Sequence, residues 1–156
     1  MATTRKKNLY QLTSDSTGFL VRSLHQSFNK VLAQRISRAN LTTAQWFFLR
    51  ALWENDGVAQ RELSNSVGLT ESTTVAALKI MEKNRLVKRK RDPRDSRRII
   101  VSLTAKGRKL EDELLPDVLD INRIIHQGIS VKEIKSLQKQ LRELRARLDE
   151  EANRNS

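Results

Sequence analysis

The sequence predicts a mainly α-helical protein with one small β-hairpin, and three observations support this prediction. Apolar residues recur every three or four positions over most of the chain, as one buried face of an α-helix requires. Two short helical segments meet at Gly68, and a strongly basic segment then separates two apolar stretches. A length of 156 residues is typical of one domain, so we expect a single domain over residues 1–156.

The first predicted helix is long and runs between Thr13 and Arg38. Its apolar residues recur at steps of three, four and one, which places them on one helical face. These residues are Leu20, Leu24, Phe28, Val31, Leu32 and Ile36. A stripe of this length favours packing against several partners.

A second helix is predicted over Ala44–Asn55. Thr42 or Thr43 can cap it by accepting a hydrogen bond from a free backbone amide, and Asp56-Gly57 ends it. Its apolar residues are Trp46, Phe47, Phe48, Leu49, Leu52 and Trp53.

Residues 60–83 predict a helix-turn-helix. A short helix over Gln60–Val67 is followed by a turn at Gly68 and by a helix capped by Thr70. The second helix of such a pair is the one that enters the DNA major groove. We expect six apolar residues to face inward: Leu63, Val67, Leu69, Val75, Leu78 and Met81. The same spacing leaves other positions exposed: Ser72, Thr73, Ala76 and either Lys79 or Lys83. An ordinary capped amphipathic helix would show the same pattern.

Residues 86–104 predict a two-stranded hairpin, here called the wing. Leu86-Val87 and the alternating segment Ile99–Thr104 flank eleven residues, of which seven are basic. The basic residues are Lys88, Arg89, Lys90, Arg91, Arg94, Arg97 and Arg98. Pro93 helps to turn the chain. With the helix pair, this hairpin makes a winged helix-turn-helix, which we expect to be a DNA-binding region over residues 42–104.

The position of the wing directly after the second helix indicates a role in DNA binding. An arginine at a hairpin tip can enter a narrow minor groove, where the potential is most negative. Asp95 can brace Arg97 or Arg98 through charge-assisted hydrogen bonds. A solvated run of charges is the alternative interpretation.

Two further helices are predicted after the wing. The first opens at Thr104-Ala105, should be kinked or divided by Pro116, and ends at Gly128. Ser130 and Glu133 are spaced as a capping box for the last helix. Five apolar residues of that helix alternate steps of three and four, and they are here called the leucine seam: Ile134, Leu137, Leu141, Leu144 and Leu148.

The leucine seam is narrow, and the rest of its helix is rich in Lys, Arg and Glu, which suits packing against another helix. We expect it to pair two chains, with residues 1–38 and 105–156 as dimerisation helices, because a two-fold operator needs two DNA-reading units. Packing against the first helix of the same chain is the alternative.

The composition narrows the function classes. Thirty Lys and Arg against eighteen Asp and Glu give a net charge of +12, which indicates a polyanionic partner, although a ribosomal or membrane-surface protein would share this excess. The chain has no cysteine, which excludes disulfides, thiol redox sensing and cysteine-ligated zinc. The two histidines lie far apart in the sequence, so we expect no metal and no cofactor. Without an apolar run long enough for a membrane span or a signal core, we expect a soluble cytoplasmic protein.

No catalytic motif stands out. The sequence lacks a glycine-rich phosphate loop, paired histidines and a cysteine nucleophile, and its carboxylates are scattered over charged faces, so we expect no enzyme. A nonspecific architectural protein that coats nucleic acid is the alternative to a sequence-specific regulator, because the net charge alone would serve it.

These residues resemble the MarR family of bacterial transcriptional regulators over nearly the whole chain. Three stretches are similar to the family's wing signature: Leu86-Val87, Asp95-Ser96-Arg97-Arg98 and Val101-Ser102-Leu103-Thr104-Ala105-Lys106-Gly107. Two more are similar to its DNA-reading helices: Gln60-Arg61-Glu62-Leu63 and Thr70-Glu71-Ser72-Thr73-Thr74. Three positions depart from the family: Ala76 and Ser96, where many members carry a basic residue, and Asn84-Arg85, which replaces a common glycine.

The resemblance implies a homodimer that binds a palindromic operator in double-stranded DNA, represses transcription, and is released by a small ligand such as an aromatic acid or its thioester. Together with the spacing, it marks these candidate DNA-binding residues: Gln60, Arg61, Thr70, Ser72, Thr73, Ala76, Lys79, Lys88, Arg94, Asp95, Arg97 and Arg98.

Candidate effector-binding residues lie on the first two helices. Arg22 and His25 are one turn apart, in a segment that resembles members sensing aromatic acids. A carboxylate needs a cationic or donor partner, and a ring needs apolar surfaces such as Trp46 and Phe47. In the alternative, Arg22 is solvated, His25 is a hydrogen-bonded and partly buried histidine, and Trp46 and Phe47 belong to the core.

Overall fold

The computed structural model describes residues 16–154 and contains six α-helices, a short 3₁₀ helix and three strands within that range. The elements are α1 (Thr17–Ile36), the 3₁₀ helix (Ser37–Ala39), α2 (Thr43–Glu54), β1 (Val58–Ala59), α3 (Gln60–Val67), α4 (Glu71–Lys83), β2 (Val87–Arg91), β3 (Ile99–Leu103), α5 (Ala105–His126) and α6 (Val131–Arg154). The chain is mainly α-helical with a small hairpin, as predicted. No helix among residues 16–154 is both long and apolar enough to cross a lipid bilayer.

Local capping explains where several helices begin. The Thr70 hydroxyl accepts a hydrogen bond from Thr73 N (3.3 Å) and so caps α4, as predicted. Thr42 and Gln45 form a reciprocal capping box at the start of α2. Ser16 caps α1, whose first described helical residue is Thr17; the predicted start at Thr13 lies outside the described residues.

The sheet has one strand more than the sequence predicts. The antiparallel strands lie in the order β1-β3-β2, and Val58 of β1 faces Val101 of β3. Two residues are too few for an alternating pattern, so β1 exists only through its pairing with β3. This pairing attaches the wing to the start of α3.

The described chain forms two compact units, which divide within α5 between Val118 and Leu119. The first unit contains α1 to α4, the sheet and the first part of α5. Its largest buried side chains come from every helix and from the wing: Leu32, Ile36, Trp46, Phe48, Leu49, Leu52, Leu63, Leu78, Met81, Val87, Val101 and Leu114. Gly107 packs against the Leu86 carbonyl so closely that a Cβ would collide with it, so the first turn of α5 needs a glycine here to lie against the wing.

The second unit contains the end of α5 and the whole of α6. The predicted capping box is present, because Ser130 N donates to Glu133 (2.9 Å) and Glu133 N donates to the Ser130 hydroxyl (3.3 Å). The Ser130 hydroxyl and backbone N–H, both donating to this carboxylate, lower the pKa of Glu133 from its ordinary value. Gly128, with φ +79°, follows the end of α5 at His126.

One expectation about α5 requires correction. Pro116 does not divide α5, which is one helix from Ala105 to His126. Pro116 and Asp112 are both exposed, so water can reach the carbonyl that the proline leaves without its helical donor. At the Asn84-Arg85 position, Arg85 takes the left-handed conformation with φ 59°, whereas Asn84 has φ −79°.

Burial of the predicted inward-facing residues is uneven. Leu63, Leu78 and Met81 are buried, whereas Val67, Leu69 and Val75 are only half-buried. On α1, Leu32 and Ile36 are buried but Leu20 and Leu24 are more than half exposed. The first part of the α1 stripe is therefore uncovered in the single chain.

Candidate nucleic-acid interface

The beginning of α4 presents small polar side chains to solvent. Ser72, Thr73, Ala76 and Lys79 are all exposed, as the spacing predicts. The Thr70 hydroxyl lies 3.1 Å from the Ser72 hydroxyl and 2.9 Å from the Thr73 hydroxyl. This small network holds three hydroxyl groups at one helix end, where they can approach phosphates and base edges closely.

A buried pair of hydroxyl groups sets the turn between α3 and α4. Ser64 Oγ donates to Leu69 O (2.7 Å) and accepts from Thr74 Oγ1 (3.0 Å), and both side chains are buried. Gly68 adopts φ +70°, which allows the chain to reverse. The role of Ser64 cannot be predicted from the sequence, because a serine and a threonine ten residues apart form no recognisable motif.

The tip of the wing is organised by two aspartates. Asp92 accepts a hydrogen bond from Arg94 N (2.9 Å), and its own N–H donates to Arg98 O (2.9 Å). Asp95 accepts from both Arg97 N (3.0 Å) and Arg97 Nε (3.2 Å). The predicted brace therefore exists for Arg97, whose side chain is nevertheless 91% exposed. Arg97 is held in one direction while remaining open to a ligand.

Arg98 has a different partner from the one expected. Its Nη2 donates to Glu62 Oε1 (2.8 Å), which joins the wing to the start of α3. The other carboxylate oxygen of Glu62 accepts from Ala59 N (3.4 Å) and caps α3. Nearby, Arg61 Nε lies 3.5 Å from Glu71 Oε1 on α4. These two pairs connect α3, α4 and the wing.

A cleft of about 540 Å³ lies among these elements, and it is here called the basic cleft. It is lined by Ala59, Gln60, Arg61, Glu62, Asn65, Glu71, Arg97, Arg98 and Ile99. Four of the predicted DNA-binding residues, Gln60, Arg61, Arg97 and Arg98, therefore meet at one concave surface. Glu62 and Glu71 add carboxylates that the predicted site did not include.

Arg89 points away from solvent. Its N–H and guanidinium donate to both oxygens of Glu82 at 3.1, 3.1 and 2.8 Å, and the Arg89 side chain is only 18% exposed. These hydrogen bonds, the side-chain ones most of all, lower the pKa of Glu82 from its ordinary value of 4.5. The pair ties β2 to the end of α4. Arg89 therefore serves the fold, in contrast to its basic neighbours.

Four other basic residues of the wing carry no carboxylate partner within the part of the chain that the structure describes. They are Lys88, Lys90, Arg91 and Arg94. All four are exposed. The wing thus keeps a strong positive potential, which favours binding to a polyanion.

The candidate effector residues do not all lie on one accessible surface. The rings of His25 and Phe47 are stacked, with centroids 6.5 Å apart, and Asn29 Nδ2 lies 2.8 Å from His25 Nε2. Arg22 is exposed. Trp46 is 2% exposed and packs edge-on against Trp53, so its predicted alternative as a core residue is confirmed. Phe47 is half-buried.

The leucine seam is exposed along α6. Four of its leucines, Leu137, Leu141, Leu144 and Leu148, are between 38 and 72% exposed. Ile134 is half-buried. An apolar stripe of this length on an exposed helix is typical of an interaction surface.

Comparisons with known proteins agree with this geometry. The family model described as "Transcriptional regulator SarA/Rot" matches residues 32–114, slightly more than half of the chain. The organic hydroperoxide resistance transcriptional regulator of Bacillus subtilis is 27% identical over 121 residues, which are 76% of this chain and 81% of the relative.

Two solved structures share the fold at 25% identity. The MarR-family transcriptional regulator of Silicibacter pomeroyi has a TM-score of 0.78, and the alignment covers 90% of this chain and 96% of that one. Bordetella bronchiseptica BpsR, whose DNA binding is described as regulated by 6-hydroxynicotinic acid, has a TM-score of 0.76 over 84% of this chain and 94% of its own. The matched region includes α3, α4 and the wing, the elements that build the basic cleft. The chain belongs to the MarR family of winged-helix transcriptional regulators, which bind DNA.

Proposed function

We propose that this protein is a homodimeric repressor that binds a palindromic operator, and that a small aromatic acid or its thioester releases it from DNA. The observation that carries the proposal is the placement of the exposed face of α4 beside the basic wing in one compact unit. In this proposal α4 reads the major groove through Ser72, Thr73 and Lys79, and Arg97 enters the flanking minor groove.

The exposed leucine seam supports the homodimer. Residues of the seam recur at heptad spacing, and the uncovered leucines of α1 offer further apolar surface. Two copies of the chain related by a two-fold axis present two copies of α4, and a palindrome supplies two matching half-sites.

The stacked His25–Phe47 pair supports an aromatic effector. The Asn29 amide lies 2.8 Å from His25 Nε2 and occupies that ring nitrogen, which leaves Nδ1 as the other polar atom of the ring. Nδ1 and the Arg22 guanidinium are suitable partners for a carboxylate, while Phe47 supplies an apolar face. The regulation of BpsR by 6-hydroxynicotinic acid is in keeping with an aromatic acid of this kind.

The decisive experiment is the selection of fragments of the source genome by the purified protein, repeated in the presence of a panel of aromatic acids and their thioesters. We expect the selected fragments to share an inverted repeat and one compound class to release them. Fragments without a shared sequence would identify a nonspecific architectural protein instead. If the fragments share an inverted repeat but no compound releases them, the repressor proposal stands and the effector proposal is wrong.

A further inference from the structure

Two carboxylates pair with two cations inside the basic cleft. Glu62 accepts from Arg98 at 2.8 Å, and Glu71 lies 3.5 Å from Arg61. All four side chains are close to half exposed or more. A DNA backbone that approaches the cleft therefore meets two cations that already have partners.

Such pairing changes what a cation can do for DNA binding. Binding by counterion release depends on charge and not on base sequence, so arginines without a carboxylate partner raise the affinity for any duplex. A carboxylate beside a guanidinium repels nearby phosphates and also restricts the side chain to one direction. Arginine has five N–H donors and Arg98 gives one of them to Glu62, so the others can still reach a phosphate in the right position.

We propose that Glu62 and Glu71 are specificity-determining residues. They hold Arg98 and Arg61 in directions that suit a DNA backbone only when α4 is fully seated in its operator. On other DNA sequences, α4 does not enter the major groove fully. The paired arginines then cannot reach the phosphates, and the carboxylates weaken binding by repulsion. This inference rests on the proposed DNA interface.

The ion pair of Arg97 differs from those of Arg98 and Arg61. Its partner Asp95 lies on the wing itself, two residues away, so the Arg97 brace moves with the wing and connects no second element. The pairs of Arg98 and Arg61 instead link separate elements, from the wing to α3 and from α3 to α4. Both ion pairs can therefore form only while α3, α4 and the wing keep their relative positions.

The test compares Glu62→Gln, Glu71→Gln and the double variant with the wild type on two duplexes. One duplex is selected by the wild-type protein from a randomised pool, and the other is the same duplex with its bases shuffled. For the shuffled duplex we expect affinity to rise roughly threefold with each substitution, the size of one exposed ion pair. Its logarithmic salt dependence should steepen by about 0.9 for each released arginine. Affinity for the selected duplex should rise less, so the ratio of the selected-duplex affinity to the shuffled-duplex affinity should fall.

Two controls connect the effect to these pairs. Glu113→Gln on α5 removes the same charge from another exposed pair, with Lys109 at 3.9 Å, and should leave binding to the shuffled duplex unchanged. Arg98→Gln in the Glu62→Gln background should cancel the gain. Glutamine retains an acceptor for Ala59 N, so thermal unfolding should show that α3 remains capped.

Three outcomes would overturn the inference: no gain on the shuffled duplex, an equal gain on both duplexes, or the same gain from Glu113→Gln. If the wild-type protein selects no duplex at all, the proposed DNA interface itself is wrong. The two failures are therefore distinguishable.

Discussion

Three arginines of the wing differ in direction and exposure because their carboxylate partners differ. Asp95 lies beside Arg97 in the chain and holds it outward, whereas Glu82 on α4 draws Arg89 back against the protein. Arg98 is directed across the cleft to Glu62. A guanidinium that is fixed in an exposed position loses little side-chain entropy when it binds a groove, so Arg97 is the strongest single candidate for a DNA contact.

Arg97→Ala should weaken binding to the selected operator by roughly 1–3 kcal/mol, the usual value of one groove contact. Fluorescence anisotropy at moderate salt measures this directly. Arg50→Ala removes the same charge from an exposed position on α2 and serves as the matched control. Equal affinities for the Arg97→Ala variant and the wild type would exclude a groove contact.

The Glu82–Arg89 pair should contribute to stability in a pH-dependent way. Because the folded-state pKa of Glu82 lies below its ordinary value of 4.5, its contribution is present above that value and is lost as pH falls through the folded pKa. Glu82→Gln should therefore lower the free energy of unfolding at neutral pH by about 1 kcal/mol, a value discounted for the exposure of Glu82.

Thermal or denaturant unfolding of both proteins across the acidic range checks this prediction. The difference between wild type and Glu82→Gln should shrink as pH falls below 4.5. A difference that stays constant with pH would show that the charge of Glu82 contributes nothing, and that the substitution acts through packing or neutral hydrogen bonds.

At the scale of elements, each helix has a local reason to begin and a separate reason to pack. Thr42, Thr70 and Ser130 cap helices through hydrogen bonds that span three residues. Packing differs strongly between helices: α2 buries a nearly complete apolar face, whereas α6 has no buried residue among those described. The leucine seam of α6 is therefore the apolar face that the proposed dimer would bury.

Leu141→Asp should prevent dimer formation, because it places a charge at the centre of the leucine seam. Light scattering should then give the mass of one chain, and operator binding should fall with the loss of the second DNA-reading unit. Ala146→Asp adds the same charge to α6 away from the seam and should leave the dimer intact. A stable Leu141→Asp dimer would show that the seam does not pair chains.

At the scale of the whole molecule, the net charge of +12 and the proposed two-fold symmetry act together. In the proposed dimer, charge draws the protein to DNA of any sequence, and the pairing of two DNA-reading units selects the operator. Once the first half-site is bound, the second DNA-reading unit of that dimer meets its half-site at a high effective concentration.

A duplex that retains one half-site of the selected repeat should therefore bind about 100-fold more weakly than the full repeat. Titration in an analytical ultracentrifuge should also give two chains per full duplex. Scrambling the flanking bases outside the repeat serves as the control and should change little. Equal affinity for the half-site and the full repeat would contradict a dimeric reader.

The sequence by itself determined the helices, the wing and most of the caps. The predicted bounds of α3 are the observed ones, and the sequence identified the caps Thr70 and Ser130 and a brace from Asp95 to Arg97 or Arg98, because those interactions join residues only a few positions apart. It also identified the exposed positions of α4, since helical spacing alone decides which residues share a face.

Only the tertiary structure decided the partners of residues distant in the chain. Glu62 contacts Arg98, which lies 36 positions later in the chain, Ser64 contacts Thr74 in the core, and β1 becomes a strand by pairing with β3. Alternation along β2 places Arg89 on the same face as buried Val87 and opposite Lys88 and Lys90, but only the packing of α4 against β2 supplies its partner Glu82. The physical reason is that an ion pair depends on the distance between two side chains in space, and that distance is set by how the helices and the wing pack.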